Sequence, residues 1–120
     1  MSARIIVVDD QAGLRMLLEE VLKLEGYQVE TAKNAQECLQ KISSNRYDLI
    51  ILDLILPGKS GFELIKKIKN YQSSDDIIII SGDENYVPKE KLNELGISEY
   101  IEKPFDLKIF KEKVNQKLSQ

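Results

Sequence analysis

Short apolar runs alternate along the chain with longer segments in which apolar and polar residues are mixed. Residues 5–8, 49–52, 77–80 and 100–101 are apolar and mostly branched. Such runs are typical of strands that are buried on both faces of a parallel sheet. In the segments between them, apolar residues recur at three- and four-residue spacing, which predicts amphipathic helices. Strand and helix patterns therefore alternate throughout, as in an α/β protein.

Capping signals place most of the helix ends. The first helix is expected to end at Gly26, which occupies the usual stop position. Asn34 and Ser60 are each followed three residues later by glutamate, and we expect capping boxes that open the second and third helices there. Asp106 is expected to cap the last helix, whereas Pro88 leaves the start of the fourth one open. The apolar stripe of the first helix comprises Leu14, Leu17, Leu18, Val21 and Leu22.

Five strand–helix units in 120 residues predict one domain over residues 1–120. The second strand is short, at residues 28–31, and the whole is expected to form a doubly wound parallel sheet with helices on both faces. The flavodoxin-like strand order 2-1-3-4-5 places the first and third strands side by side at the switch point. Residues at the carboxyl ends of these strands then meet at the edge where open α/β sheets hold their ligands.

The composition narrows the class of protein. Hydrophobic residues make up 42% and charged residues 31%, as in soluble globular proteins. A net charge of −3 argues against nucleic-acid binding, and no apolar run approaches the roughly 20 residues of a membrane span. The lone Cys38 and the absence of a signal-peptide pattern lead us to expect a cytoplasmic protein, with Cys38 as a small core residue. Histidine is absent, which excludes an imidazole base and a phosphohistidine in this chain.

Polar residues end four of the predicted strands: Asp9 and Asp10 the first, Asp53 the third, Ser81 the fourth and Lys103 the fifth. Three carboxylates in one pocket repel one another, so a positive partner must keep them ionised. Mg²⁺ (or Mn²⁺) suits a few carboxylates combined with water and phosphate oxygens. This inventory favours phosphoryl transfer, in which Asp53 attacks phosphorus and becomes an acyl phosphate. Lys103 and Ser81 are then expected to bind phosphoryl oxygens.

Each of these residues alone also has a plainer interpretation. The Asp9-Asp10 pair is compatible with a turn and a helix N-cap, because aspartate is favoured there. Asp53 and Ser81 are compatible with ordinary strand ends, and Lys103 with a surface lysine. Their occurrence in register at one sheet edge favours the shared site over the separate interpretations.

The order and spacing of the polar motifs, over essentially the whole chain, resemble the receiver domain of two-component response regulators. The motifs are Asp9-Asp10, Asp53 with Pro57 and Gly61 behind it, Ser81-Gly82 and Lys103-Pro104. The resemblance implies that Asp53 is phosphorylated by a partner's phosphohistidine. It also implies that the chain is a phosphoacceptor signalling protein and not an enzyme.

The resemblance further implies a role for each site residue. Asp10, Asp53 and the backbone carbonyl of Ile55 would ligand Mg²⁺, while Asp9 would act largely through water. Ser81 and Lys103 would sense the phosphoryl group, although serine stands here where threonine is commoner. Tyr100 would be the aromatic that changes rotamer when Ser81 moves; its plainer interpretation is core packing.

Within that family, the chain looks most similar to the single-domain receivers of sporulation phosphorelays. The similarity rests on residues 8–11, 13–15, 25–27 and 103–106. It implies that a helical histidine domain, from a histidine kinase or a histidine phosphotransferase, docks on the first helix and on the loop before the last helix. The docking residues are then Gln11, Gly13, Leu14, Leu17, Pro104 and Phe105. Of these, Leu14 and Leu17 fit the core stripe of the first helix as well.

We expect no attached output domain, because the sequence pattern ends with the last predicted helix. A downstream effector or a phosphatase would instead read a phosphorylation-dependent surface around the fourth helix, the fifth strand and the fifth helix. We expect no direct contact with nucleic acid or membrane.

Two other functions compete with this interpretation. Haloacid-dehalogenase-like aspartyl-phosphate phosphatases also place a nucleophilic aspartate after a strand, but they need a second aspartate two residues on as general acid. Here that position is Ile55, which transfers no proton. A flavin-binding protein of flavodoxin type needs a phosphate loop after the first strand, where Asp9-Asp10 would repel the phosphate. Because Ile55 cannot position an attacking water either, we expect a persistent acyl phosphate.

Overall fold

The computed structural model describes residues 2–82 and 89–119, in which strands and helices alternate as the sequence pattern predicts. The elements are, in chain order, β1 (Arg4–Val8), α1 (Ala12–Leu24), β2 (Gln28–Ala32), α2 (Ala35–Ser44), β3 (Leu49–Asp53), β4 (Ile55–Leu56), β5 (Lys59–Ser60), α3 (Gly61–Ile68), β6 (Ile77–Ser81), α4 (Lys89–Glu94), β7 (Glu99–Glu102) and α5 (Leu107–Leu118). A 3₁₀ turn, Ser74–Asp76, precedes β6. The open question of the fourth helix start, at Pro88, lies outside the described residues. Within the described ranges, no helix is long and apolar enough to cross a bilayer.

Five strands form one parallel sheet in the order β2-β1-β3-β6-β7. Once the two-residue strands β4 and β5 are set aside, this is the order 2-1-3-4-5, so the predicted topology is confirmed. β1 pairs with β3 up to Val8↔Leu52, and β3 pairs with β6 up to Asp53↔Ile80. The carboxyl ends of β1 and β3 are therefore level and adjacent at the switch point.

Alternate residues of the strands face two separate cores, one on each side of the sheet. Helices α1 and α5 cover one core, and α2, α3 and α4 cover the other. The first core includes Ile5, Val7, Ile51, Ile78 and Ile80 with Leu18, Leu22, Phe110 and Val114. The second includes Ile6, Val8, Ile50, Leu52 and Ile79 with Cys38, Ile42, Leu64, Ile65 and Leu92. Because full burial of one such side chain is worth about 1.5–3 kcal/mol, these runs fix the strands in the middle of the fold.

The apolar stripe of α1 is narrower than the sequence predicts. Leu18 and Leu22 are fully buried, and Leu14 is half-buried against the same core. Leu17 is 45% exposed, so its assignment to the core stripe is wrong. Successive helical residues point in different directions, and the step from Leu18 back to Leu17 carries the side chain out to solvent.

Cys38 is the small core residue that its spacing predicts. Its side chain in α2 is fully buried, and it is a free cysteine. Burial raises the pKa of the Cys38 thiol to about 12. A protonated, enclosed thiol is chemically inert, so this cysteine serves packing.

The helix starts follow the capping signals only in part. The Asn34 side chain accepts a hydrogen bond from the Glu37 N–H at 2.8 Å, as expected. The Glu37 carboxylate, however, accepts from the residue before Asn34, so the capping box is not reciprocal. The Ser60 hydroxyl accepts from the Phe62 N–H, two residues on, and the expected box there does not form. Asp106 caps α5 as predicted.

A small hairpin that the sequence did not predict follows β3. Strands β4 and β5 pair antiparallel around a turn at Gly58, whose φ is +79°. Helix α3 then begins at Gly61, where a Cβ atom would lie 2.3 Å from the carbonyl oxygen of Leu54. Only glycine permits this approach, so the start of α3 packs directly on the loop that leaves β3.

Near the amino ends of β1 and β3, buried and half-buried polar groups are paired within the protein. The buried Gln72 side chain donates to the Tyr47 carbonyl at 2.8 Å and accepts from the Tyr47 N–H at 3.3 Å. The Tyr47 hydroxyl donates to Glu30 at 3.0 Å, and Arg4 forms a salt bridge with the same carboxylate at 2.9 Å. Burial, together with the hydrogen bond to Glu30, raises the pKa of Tyr47 to about 12. We call these four residues the amino edge.

Candidate functional site

The carboxyl ends of β1 and β3 bring three aspartates together. Asp9 and Asp10 follow β1, and Asp53 ends β3. One oxygen from each carboxylate lies within 4.8 Å of the other two. Asp9 and Asp53 are buried, whereas Asp10 is exposed. The strand order therefore produces the juxtaposition that the sequence predicts, and we call these three residues the acidic cluster.

Lys103 follows β7 and faces the acidic cluster. Its ammonium nitrogen Nζ lies 3.0 Å from Oδ2 of Asp53 and 3.2 Å from Oδ2 of Asp9. A third acceptor is Oε1 of Gln11, also at 3.2 Å. Only 17% of the lysine side chain is exposed, so solvent screens these ion pairs weakly. The Lys103–Pro104 peptide bond is cis.

Burial and neighbouring charges act on the pKa values of this central pair. Burial raises the pKa of Asp53; the hydrogen bond from the Ile55 N–H and the proximity of Lys103 offset this only partly, and the charge of Asp9 adds to it. For Lys103, burial lowers the pKa, but hydrogen bonds and negative charge from Asp53 and Asp9 outweigh burial, so the pKa is raised overall. The lysine is thus held as a cation, while the carboxylates still favour further positive charge.

Asp9 is held by its backbone as well as by its carboxylate. Its N–H donates to the Ala32 carbonyl at 3.1 Å, and its own carbonyl accepts from the Arg15 guanidinium at 2.8 Å. Oδ1 of Asp9 accepts from the Gln11 N–H at 2.8 Å. Within residues 2–82 and 89–119, the exposed Asp10 carboxylate has no hydrogen-bond partner. One aspartate of the pair is therefore anchored, and its neighbour is open to solvent.

The oxygen donors of the acidic cluster fit a hard divalent cation. Mg²⁺ prefers carboxylate oxygens in small number, combined with water and phosphate oxygens, and Mn²⁺ accepts the same donors. Asp9, Asp10 and Asp53 are the residues that would hold such an ion. Oδ1 of Asp53 accepts a hydrogen bond from the Ile55 N–H at 3.0 Å, which orients the carboxylate. Ligation by the Ile55 carbonyl stays a prediction.

Ser81 ends β6 beside the same edge. Its side chain is fully buried, and in the described part of the chain its hydroxyl has no hydrogen-bond partner. The Ser81 carbonyl accepts from the Lys103 N–H at 2.8 Å, which ties β6 to the residue that carries the ammonium. A buried hydroxyl without a partner costs about 1–3 kcal/mol, so this hydroxyl is a candidate donor to a bound phosphoryl oxygen.

Tyr100 lies on β7, which follows α4 in the chain, and it pairs with Ile79 of β6. It is half-buried and packs against the core on the side of α2, α3 and α4. This packing agrees with the plainer interpretation of the residue. Its role as a switch aromatic stays a prediction.

The residues expected to dock a partner lie around the start of α1 and the loop before α5. The contact between Gln11 and Lys103 brings these two segments together. Phe105 stacks on Phe110 with ring centroids 5.4 Å apart, so part of its surface is taken up by the core. The exposed members of the set are Gln11, Gly13, Leu17 and Pro104, and the half-buried ones are Leu14 and Phe105. Docking itself stays a prediction.

Two contacts of the site escaped sequence reasoning. Gln11 was expected only on the docking surface, yet its side chain binds Lys103. Arg15 was given no role, yet it binds the backbone of Asp9. Both are long polar side chains whose reach depends on the path of the backbone, and the sequence carries no spacing signal for such contacts. Their closeness to the Asp9-Asp10 pair was the only hint.

Comparison with known proteins places these features in one family. The family model for the response regulator receiver domain matches residues 5–115. Sporulation initiation phosphotransferase F of Bacillus subtilis is 36% identical over 120 residues, which cover 98% of this chain and 95% of that protein. Response regulator ArlR of Staphylococcus aureus is 41% identical over 104 residues, which cover 87% of this chain. They cover 47% of ArlR, so the chain spans about half the length of that relative.

Solved structures share the fold. A CheY-like response regulator receiver domain protein from Methanospirillum hungatei superimposes with a TM-score of 0.92 at 30% identity, covering 99% of this chain and 95% of that one. Response regulator protein TrrA of Thermotoga maritima, solved in complex with Mg²⁺-BeF, gives a TM-score of 0.85 at 39% identity. That match covers 98% of this chain and all of the other. The resemblance and the fold class inferred from the sequence are both confirmed.

Proposed function

The chain belongs to the response regulator receiver family, and on that premise we propose that Asp53 accepts a phosphoryl group from a partner's phosphohistidine in a Mg²⁺-dependent reaction. The observation that carries the proposal is the position of Lys103, whose Nζ lies 3.0 Å from Asp53 in a pocket of three carboxylates. An ammonium opposite clustered acids is an arrangement that suits the transfer of a negatively charged group.

In the proposed reaction, an oxygen of Asp53 attacks phosphorus. The new P–O bond forms while the P–N bond to the donor imidazole breaks, and the imidazole leaves with the electron pair and takes up a proton from solvent. Asp53 is ionised when it attacks, so it has no proton to lose and the chain needs no general base. This agrees with the absence of histidine.

The residues around Asp53 would then each neutralise or bind part of the negatively charged phosphoryl group. A divalent cation, when bound, supplies charge neutralisation and a fixed orientation for the phosphoryl oxygens. Asp9 and Asp10 would hold that cation together with Asp53. Lys103 would bind one phosphoryl oxygen, and the buried Ser81 hydroxyl would donate to another. Tyr100 would follow the movement of Ser81.

The proposed phosphodonor is a histidine kinase or a histidine phosphotransferase. Gln11, an exposed residue of the docking surface, contacts both Asp9 and Lys103, and Pro104 directly follows Lys103, which supports this proposal. The similarity to a sporulation initiation phosphotransferase supports a phosphorelay, in which the phosphoryl group is passed on or read by a downstream effector or a phosphatase. We place the reaction in the cytoplasm, where the thiol of Cys38 stays reduced.

The rival assignment is a phosphatase of the haloacid dehalogenase type. Such an enzyme needs an acidic group two residues after the nucleophile, and Ile55 occupies that position. Ile55 is 48% exposed and has no group that donates or accepts a proton. No described feature favours the phosphatase, and we propose a phosphoacceptor that is not an enzyme.

Mass spectrometry after incubation with phosphoramidate and Mg²⁺ tests the proposal, because phosphoramidate carries the P–N bond of phosphohistidine. We expect one phosphoryl adduct that is absent in Asp53→Asn and absent when EDTA replaces Mg²⁺. Asp48→Asn is the matched control, since this exposed aspartate lies at the opposite end of β3. It should form the adduct like the wild type.

Two results contradict the proposal. The first is an adduct that persists in Asp53→Asn, because the acceptor would then be another residue. The second is steady release of inorganic phosphate without an adduct, which is the behaviour of a phosphatase.

A further inference from the structure

We propose that Arg15 is a positioning residue of the cation site, because it holds the peptide that joins Asp9 to Asp10. The inference rests on the proposed function. It adds a residue that is itself neither a ligand of the cation nor a partner of the phosphoryl group.

The side chain of Arg15 reaches backward from the beginning of α1 to the end of β1. Its guanidinium donates to the Asp9 carbonyl at 2.8 Å. The Arg15 N–H donates to the Gln11 carbonyl at 2.9 Å, so the first turn of the helix is closed and the side chain starts from a fixed point. Arg15 is half-buried, which limits competition from water for this hydrogen bond.

The Asp9 carbonyl needs such a donor. The pairing between β1 and β3 ends at Val8, so Asp9 lies just beyond the ladder that satisfies the strand. Asp9 is 1% exposed, and a buried carbonyl without a partner costs about 1–3 kcal/mol. Arg15 supplies a charged donor, whose hydrogen bonds are stronger than those of neutral groups.

Peptide planarity carries this contact to Asp10. The carbonyl of Asp9 lies in the same rigid plane as the N–H and Cα of Asp10, so fixing the oxygen fixes the orientation of that plane. The Asp10 carboxylate has no hydrogen-bond partner among residues 2–82 and 89–119. The direction in which the Asp10 side chain leaves the backbone therefore depends on the peptide plane that Arg15 holds. In this way Arg15 sets the position of the exposed Asp10 carboxylate, a proposed ligand of the cation.

Charge and positioning predict opposite results when Arg15 is removed. A guanidinium near a cation site repels the cation, so an effect of charge alone would make Mg²⁺ bind more tightly to Arg15→Met. An effect of positioning would make Mg²⁺ bind more weakly, and loss of groups that orient metal ligands typically weakens binding by about 10–100-fold. The direction of the change thus decides between the two.

We would test this by titrating the unphosphorylated chain with Mg²⁺ and following backbone amide shifts by NMR. Arg15→Met should bind Mg²⁺ about tenfold more weakly than the wild type. Arg15→Gln, which keeps a donor without the charge, and Arg15→Lys, which keeps the charge and one donor, should lie between the two. Lys23→Met is the matched control, because it removes a positive charge from the last turn of the same helix, and its affinity should stay within about twofold.

The Asp10 amide should shift in Arg15→Met even without Mg²⁺, and the thermal midpoint in EDTA should fall by roughly 3–6 °C for each kcal/mol that the loss of the hydrogen bond to the buried Asp9 carbonyl costs. Equal or tighter Mg²⁺ binding by Arg15→Met overturns the inference and leaves the proposed function standing. If the wild type shows no saturable Mg²⁺ binding that Asp10→Asn abolishes, the cation site itself is wrong and the inference fails with it.

Discussion

The two edges of one sheet treat their buried polar groups differently. At the amino edge, Gln72 satisfies both backbone groups of Tyr47, and the Tyr47 hydroxyl has its own acceptor in Glu30. The opposite edge, which we call the carboxyl edge, comprises Asp9, Asp53, Ser81 and Lys103. There the buried carboxylates share one ammonium, and the Ser81 hydroxyl has no partner within the described residues. The strands between the two edges are the same apolar runs. The difference agrees with the proposal that the carboxyl edge receives a group from outside, whereas the paired groups of the amino edge stabilise the fold.

Burial raises a pKa at both edges, but the consequence differs between them. Burial raises the pKa of Tyr47, and it likewise raises the pKa of Asp53. For Tyr47, burial favours the neutral form, which is already the form present at pH 7, so burial adds no electrostatic cost. For Asp53 the proposed reaction requires the charged form, which burial disfavours, and a bound cation would offset this cost.

Lys103→Met should produce the largest change, because it leaves the buried carboxylates of Asp9 and Asp53 without their cation. We expect the free energy of unfolding in EDTA to fall by about 3 kcal/mol in urea titrations, and Mg²⁺ to restore part of it. Lys113→Met is the control, since Lys113 pairs with Glu99 at a half-exposed position. That variant should change stability by less than about 1 kcal/mol. Equal losses in the two variants would remove the distinction between the carboxyl edge and an ordinary surface pair.

Gln72→Leu should break the amino edge alone. The leucine leaves the Tyr47 N–H and carbonyl without partners, so we expect a loss of about 2 kcal/mol in the same urea titrations. The rate of adduct formation with phosphoramidate should stay that of the wild type. Gln116→Leu, at an exposed position on α5, should change neither quantity. A slower rate in Gln72→Leu would show that the two edges are coupled.

Ser81→Ala, at the carboxyl edge, should not lower the free energy of unfolding as Gln72→Leu does. Since the buried hydroxyl has no partner in the described part of the chain, its removal should leave stability unchanged or raise it by up to about 1 kcal/mol. Adduct formation should slow by about tenfold, as expected for the loss of one hydrogen bond to the phosphoryl group. Ser43→Ala, which removes a hydroxyl bonded to the Gln40 carbonyl, is the control and should not slow the reaction. A clear loss of stability in Ser81→Ala would mean that the hydroxyl is already satisfied.

Ile55→Asn should give the smallest change, and it tests which side chain at the carboxyl edge sets the lifetime of the acyl phosphate. The amide can orient an attacking water where the isoleucine cannot, so we expect the half-life of the acyl phosphate to shorten by about threefold. Ile109→Asn is a matched control, because Ile109 on α5 is 49% exposed against 48% for Ile55. Its half-life should be that of the wild type. An unchanged half-life in Ile55→Asn would refute the expectation of a lifetime set by this side chain.

Residues whose position follows from backbone periodicity were predictable from the sequence. The apolar runs at β1, β3 and β6 predict buried strands, and the carboxyl ends of parallel strands must share an edge. Asp9, Asp53 and Lys103 therefore converge as the pattern indicates. The strand order also follows, because the alternation of strands and helices leaves few topologies.

Residues whose role depends on side-chain reach were not predictable. Arg15 and Gln11 act through three to five rotatable bonds, and their partners are decided only when strand and helix are in place. The β4–β5 hairpin has just two residues in each strand, too few for any periodic signal. Leu17 shows a further limit: an apolar residue adjacent to the core stripe was counted with it, although the helix turns that side chain to solvent.

A primary ammonium carries three protons, and in this fold three oxygens already take them. Asp53, Asp9 and Gln11 fill the whole donor capacity of Lys103. An incoming oxygen therefore enters by exchange, and one of the present acceptors must let go. If Gln11 is the one released, the arriving group breaks the hydrogen bond that joins the start of α1 to the loop before α5. Binding in the pocket would then change the surface that a partner would contact.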